Sequence, residues 1–505
     1  MVLNCVEDHM IKKIFTLFSF TLFVFCPLCA LEPPLVVSSD KCSKNEITEH
    51  SLKIGANTFP YEAIAGTMAV KNEKGGDKAH IFYTAYFLKD PLKKDRPITF
   101  CFNGGPGSAS VWLHIGAFGP KKVVIDDVKY NASPGQYEDN PHTLLPTTDL
   151  VFVDPVSTGF SKPATGIEAK EFYSVEEDIN TNAEFIREFL TQYQRWGSEK
   201  FLLGESYGTL RVTGLAHRLH EHYFLDVNGL ILISSVIDFQ TVDNDLGYIV
   251  SLPSLAACAW YHKKCAPMYQ SQKLNEFLQE VQNFATHDYA TALLLGNTLD
   301  PKQKSHIAET LSGYLGVPLP FIYNASLRIK PEIFAKELLK SEELLIGRFD
   351  GRMTGFDIQR ERPWAMYDPS LDSVAGSFQS AFQQYLIDVL HVKDRAPYWV
   401  LNHAVQPWDF GQKGQTAGLG YVNMTGELVS TLSKNPQLRV FIASGYFDIV
   451  TPYFATDYTV EHLDMNPALF HNIERQYFDA GHLMYLHPPS LARLQESLGN
   501  FIASS

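Results

Sequence analysis

A few short apolar runs constrain this chain more than any other feature. Leu150–Val153 is uninterrupted and ends in Asp154-Pro155, and Phe201–Leu203 and Leu230–Ile233 are equally apolar. Leu438–Ala443 joins them with one arginine inside. A strand with apolar side chains on both faces must be covered on both faces, which is the condition of a buried parallel strand. Between these runs, Glu176–Tyr193 and Leu210–Leu219 read as helices. Strand and helix in alternation predict an α/β fold: a mostly parallel central sheet flanked by helices. Upstream, Ala79–Phe87 and Pro97–Phe102 alternate apolar and polar residues as strands do, and Arg475–Phe478 supplies another strand near the end.

The pattern changes between residues 239 and 392. Leu274, Phe277, Leu278, Val281, Phe284 and Ala285 recur at helical spacing, Lys304–Leu315 reads as a further helix, and Pro331 suits a first helical turn. This stretch is expected to be a mostly helical cap inserted into one sheet domain. The core then comprises residues 31–238 and 393–505. With 505 residues, 45% of them hydrophobic, the chain can bury such a core. Its 42 Lys and Arg against 56 Asp and Glu leave a net charge of −14, which repels polyphosphate, so nucleic acid is excluded as a partner.

Lys12 and Lys13 precede the uncharged stretch Ile14–Phe25, and Ala30 follows shortly after. A positive flank, a short apolar segment and a small residue at the cut describe a secretory signal peptide over residues 1–30, hence export to a periplasmic or extracellular space. A membrane anchor needs about 20 apolar residues, and this run is shorter. Met10, directly before the basic flank, is an alternative start. Export leaves four of the seven cysteines: Cys42, Cys101, Cys258 and Cys265. In an oxidising compartment Cys258 and Cys265 are candidates for a local disulfide, the alternative being two buried thiols. His217, His220 and His222 cluster where a helix ends, a place that suits cations better than a metal site. No metal is expected.

Gly204-Glu205-Ser206-Tyr207-Gly208 stands between a predicted strand and a predicted helix. A nucleophile on so sharp a turn needs neighbours without Cβ atoms, and the turn aims a helix amino terminus at the hydroxyl. Serine is a weak nucleophile until a base takes its proton and a third group orients that base. On sheets of this build the order is serine, acid, histidine. Asp448 and His482 follow successive strands in that order; Asp479 competes as the acid but lies too near His482 in sequence. The loop Asn103-Gly104-Gly105-Pro106-Gly107 can turn backbone N–H groups on a developing oxyanion, with Tyr207 supplying a second.

Five segments carry a resemblance: Asn103–Ser110, Asp154–Ser161, Gly204–Thr209, Ser444–Asp448 and Ala480–His482. From about residue 60 onward the chain resembles the serine carboxypeptidases (peptidase family S10, carboxypeptidase Y and cathepsin A type), particularly the family's bacterial branch. The resemblance implies an α/β-hydrolase fold, a helical cap after the sixth strand, removal of carboxy-terminal residues from peptides, and no metal or organic cofactor. It implies Ser206 as nucleophile, His482 as base and Asp448 as its orienter. Gly105 and Tyr207 would form the oxyanion hole, and Asn103, Gly104 and Glu205 would bind the substrate carboxylate. The chain departs from the family pattern where Cys101 replaces a tryptophan, Ala117 an acidic residue and Ser108 a disulfide cysteine. A serine esterase or acyltransferase on the same scaffold is the nearest alternative, and a non-catalytic binding module a more distant one.

Overall fold

The computed structural model describes residues 45–504 except 73, 90–94, 132, 243 and 412–420. The leader expected over 1–30, the start at Met10 and Cys42 lie outside the described residues. Among these residues, ten strands form one mixed sheet. Nine of them make a continuous path: β1 (Glu46–Ile54), β2 (Asn57–Lys71), β3 (Asp77–Leu88), β4 (Ile98–Phe102), β5 (Asp149–Val153), β6 (Lys200–Glu205), β7 (Gly229–Ile233), β8 (Arg439–Gly445) and β9 (Ile473–Phe478). Their order is β1-β2-β3-β5-β4-β6-β7-β8-β9, and the two-residue strand Lys162–Pro163 pairs with β3. β1 to β3 and the β3–β5 pair are antiparallel; the rest of the path is parallel.

The apolar runs do what their composition requires. Along β4, Phe100 and Phe102 face one core and Cys101 the other; along β8, Val440 and Ile442 oppose Phe441 and Ala443 in the same way. On one face lie α1 (Val175–Gln192) and α2 (Tyr207–Tyr223). Ser174 caps α1 by accepting from the Glu177 N–H, and three acidic residues follow in its first turn, where the helix dipole favours them.

The helical segment after β7 begins with α3 (Asn244–Tyr261) and has its own apolar cluster, running from Leu252 to Ile346 and joined by Phe447, Ile449 and Tyr453 from the core. The stretch expected as one insertion over 239–392 divides by its packing. Helix α4 (Pro369–Asp388) returns to the sheet, setting Phe378 and Phe382 beside Trp112 and His114.

The expected Cys258–Cys265 disulfide is not formed. Cys258 lies in α3 with its thiol toward the Phe447 carbonyl (3.9 Å), and Cys265, beyond the helix end, donates to the Tyr314 carbonyl (3.1 Å). The two side chains sit in one apolar cluster but turn their thiols to different carbonyls, and burial pushes both thiols up.

Candidate active site

Parallel register brings the carboxyl ends of the strands to one edge. Phe102 pairs with Gly204, Ile233 with both Glu205 and Ala443, and Gly445 with Phe478. The residues just beyond these ends are Asn103, Ser206, Asp448 and His482.

Ser206 sits at φ 58°, ψ −130°, a conformation rare for a side-chain-bearing residue, directly ahead of α2. Its neighbours allow that turn. A Cβ on Gly204 would meet the Gly208 carbonyl oxygen at 2.2 Å, and one on Gly208 would meet the Phe102 carbonyl oxygen at 2.5 Å. Gly104 lies so close to the turn that a Cβ there would fall 2.7 Å from the Tyr207 nitrogen and 2.9 Å from the Ser206 Cβ. The glycine loop and the serine turn are therefore packed backbone to backbone.

His482 and Asp448 are both buried, with Nδ1 and Oδ2 2.7 Å apart. Asp448 Oδ1 accepts from the N–H groups of Val450 (2.8 Å) and Thr451 (2.9 Å), and the Thr451 hydroxyl donates to Oδ2 (2.7 Å). The histidine backbone is fixed as well: its carbonyl accepts from Ser234 Oγ (2.7 Å) and its N–H donates to the Phe349 carbonyl (2.5 Å). Burial opposes the imidazolium, yet the charge and hydrogen bond of Asp448 outweigh it, so His482 stands above its ordinary pKa. Asp479 is exposed. Thr451, Ser234 and Phe349 were not read from the sequence; only Thr451, three residues after the acid, carried a local signal, that of a side chain able to close a turn.

Next to Ser206, Glu205 is buried and Asn103 Nδ2 donates to its Oε1 (2.9 Å). Asn103 Oδ1 accepts from the Leu113 N–H (3.0 Å), which fixes the amide's orientation. Burial is the largest influence on Glu205 and raises its pKa to about 7 against the opposing charge of His482. Of the departures from the family pattern, Cys101 is a fully buried thiol on β4, Ala117 lies in a buried turn over His114–Phe118, and the Ser108 hydroxyl accepts from the Trp112 indole N–H (3.0 Å).

An ion pair holds the loop to the helix. Arg211 on α2, almost wholly buried, donates to Asp178 Oδ2 on α1 (2.8 Å) and to the Asn103 carbonyl (2.5 Å). The Tyr207 hydroxyl reaches the same Asp178 oxygen (3.2 Å). Removing one member of a buried pair strands the other charge, so Asp178→Ala is expected to lower stability by about 3–5 kcal/mol. Urea unfolding checks this; a loss under about 1 kcal/mol would show that Arg211 finds another partner.

A mixed sheet bearing a serine on a tight strand-to-helix turn defines an α/β-hydrolase. The chain belongs to the serine carboxypeptidase family, whose family model matches residues 55–478. It is 20% identical over 405 residues to the lysosomal protective protein of Mus musculus, covering 77% of this chain and 76% of that protein. A probable serine carboxypeptidase of Arthroderma benhamiae is 28% identical over 173 residues, covering 32% of this chain but only 30% of the relative's length. Among solved structures, the Saccharomyces cerevisiae prohormone-processing carboxypeptidase Kex1(delta)p shares the fold, with a TM-score of 0.55 at 15% identity over 88% of this chain and 91% of that one. Among the described residues, no helix is long and apolar enough to cross a membrane.

Proposed function

We propose that the protein is an exported carboxypeptidase that releases carboxy-terminal residues from peptides through an acyl-enzyme on Ser206. The observation that carries the reading is the buried Asn103–Glu205 pair beside the serine. In this reading Ser206 Oγ attacks the scissile carbonyl while His482 Nε2 takes its proton, and Asp448 holds the Nδ1–H and steadies the imidazolium. The oxyanion accepts hydrogen bonds from the N–H groups of Gly105 and Tyr207 at the amino terminus of α2. His482 then returns the proton to the departing amine; water, deprotonated by the same histidine, hydrolyses the ester and frees Ser206. The helical segment after β7 shapes the pocket for the substrate side chains.

The substrate carboxylate is held by Asn103, the Gly104 backbone and Glu205. Glu205 must be protonated to donate, because an ionised carboxylate repels another and offers no proton. With its pKa raised to about 7, the clamp works below that pH and is lost as pH rises through it. Ionisation of His482, itself held above its ordinary value, limits the acid side.

The test is kcat/KM against pH for a blocked peptide acid and its matched amide. Above pH 7 the acid-to-amide ratio is expected to fall about tenfold per pH unit, and Glu205→Gln to abolish that dependence. A flat ratio in the wild-type protein would favour the esterase or acyltransferase reading of the same scaffold.

A further inference from the structure

The Asn103–Glu205 pair accounts for one oxygen of the carboxyl and leaves the other open. Glu205 Oε2 is buried and has no hydrogen-bond partner, and the same holds for the hydroxyl of Tyr485, also buried. Each of the two lies within the other's electrostatic influence, and Asn103 is the other polar group that acts on the phenol. Asn103 gives one N–H to Oε1 and its oxygen to the Leu113 N–H, and its remaining N–H makes no hydrogen bond to Oε2.

The position of the ring is built in. Tyr485 lies in the turn Met484–Leu486, just past His482, and its edge fills the space that a side chain at Gly116 would need: a Cβ there would come 2.8 Å from the tyrosine ring and 3.0 Å from Phe378. Gly116 neighbours Ala117, which stands where the family resemblance implies an acidic residue.

We infer that Tyr485 is a positioning residue for Glu205, its phenol O–H donating to Oε2 of the ionised carboxylate and holding the carboxyl against Asn103. This rests on the clamp reading above. Glu205 also faces His482 and Asp448, whose charges act in opposite directions, His482 favouring the ionised form and Asp448 opposing it. Since the phenol stabilises the ionised form, removing it favours the protonated, donating form. The direction is therefore unusual: losing the tyrosine hydroxyl should extend the clamp's range toward alkaline pH.

The experiment is the pH dependence of kcat/KM for the matched acid and amide substrates in wild type, Tyr485→Phe, Gly116→Ala and Glu205→Gln. Tyr485→Phe is expected to move the alkaline limb for the acid substrate up by about one pH unit, the scale of one hydrogen bond to a charged group, and to leave the amide profile in place. Gly116→Ala, which pushes the ring aside with its hydroxyl intact, is expected to move the same limb in the same direction, so the inference remains testable if Tyr485→Phe folds poorly. If Glu205→Gln keeps the wild-type alkaline limb, the clamp itself is wrong. If Glu205→Gln removes the limb while both other variants leave it in place, or shift acid and amide profiles together, the role of Tyr485 is overturned and the clamp stands.

Discussion

Ser206→Ala is expected to lower kcat/KM for every acyl substrate by at least about 10⁴-fold while leaving the unfolding midpoint unchanged. The rate is lost because no other group can carry the acyl chain: Asp448 is buried against the histidine, and Glu205 is tied to Asn103. The fold should persist because alanine inherits the same backbone conformation, φ 58°, which the glycines around it permit. Ser206→Gly sharpens the test. Glycine adopts that conformation freely, so this variant should be equally inactive yet more stable by about 1–3 kcal/mol. A fluorophosphonate probe should label the wild-type protein and neither variant. Turnover in Ser206→Ala above about a tenth of wild type would remove the serine from the mechanism.

Asp448→Asn is expected to cost about 10⁴-fold in kcat with little change in stability. The reason lies in the two backbone N–H groups, from Val450 and Thr451, that bond Oδ1. They oblige an asparagine to point its carbonyl toward them, which turns its NH₂ group on His482 Nδ1. Two donors then face each other unless the imidazole moves its proton to Nε2, where it can no longer accept one from serine. Flipping the amide does not help, since the NH₂ group would then face the two backbone donors. Steady-state kinetics with thermal unfolding as the control checks this; a loss of less than about tenfold would mean that the histidine is oriented by something else, with Thr451, 3.1 Å from Nδ1, the nearest candidate.

Much of the fold was legible from local chemistry. The runs at Leu150–Val153 and Leu230–Ile233 lack polar residues because both faces of their strands are covered. β1 was not legible: its sequence is largely polar and its residues are mostly half-buried or exposed, as befits an edge strand, and it is recognised through its pairing with β2. The helix Pro301–Leu315 starts earlier than its apolar spacing suggests, because Asp300 accepts from the N–H groups of Lys302 and Gln303 and Pro301 suits the first turn.

The sequence by itself determined whatever depends on residues within a turn of one another. Period-two burial, helix caps and the glycines around Ser206 and in the Asn103–Gly107 loop are local steric demands, and the chain order of serine, acid and histidine follows from the order of the strands. Tertiary structure decided what depends on register and packing across long separations. Asn103 meets Glu205 from 102 residues away because β4 and β6 are adjacent and in register. Asp448 rather than Asp479 reaches His482 because the turn after β8 folds inward while Asp479 stays in solvent. Cys258 and Cys265, near neighbours in the chain and members of one apolar cluster, remain apart because a helix and its exit turn one thiol to the Phe447 carbonyl and the other to the Tyr314 carbonyl. The ring of Tyr485 lies against Gly116 because a glycine there leaves it room, and no local rule relates those two positions.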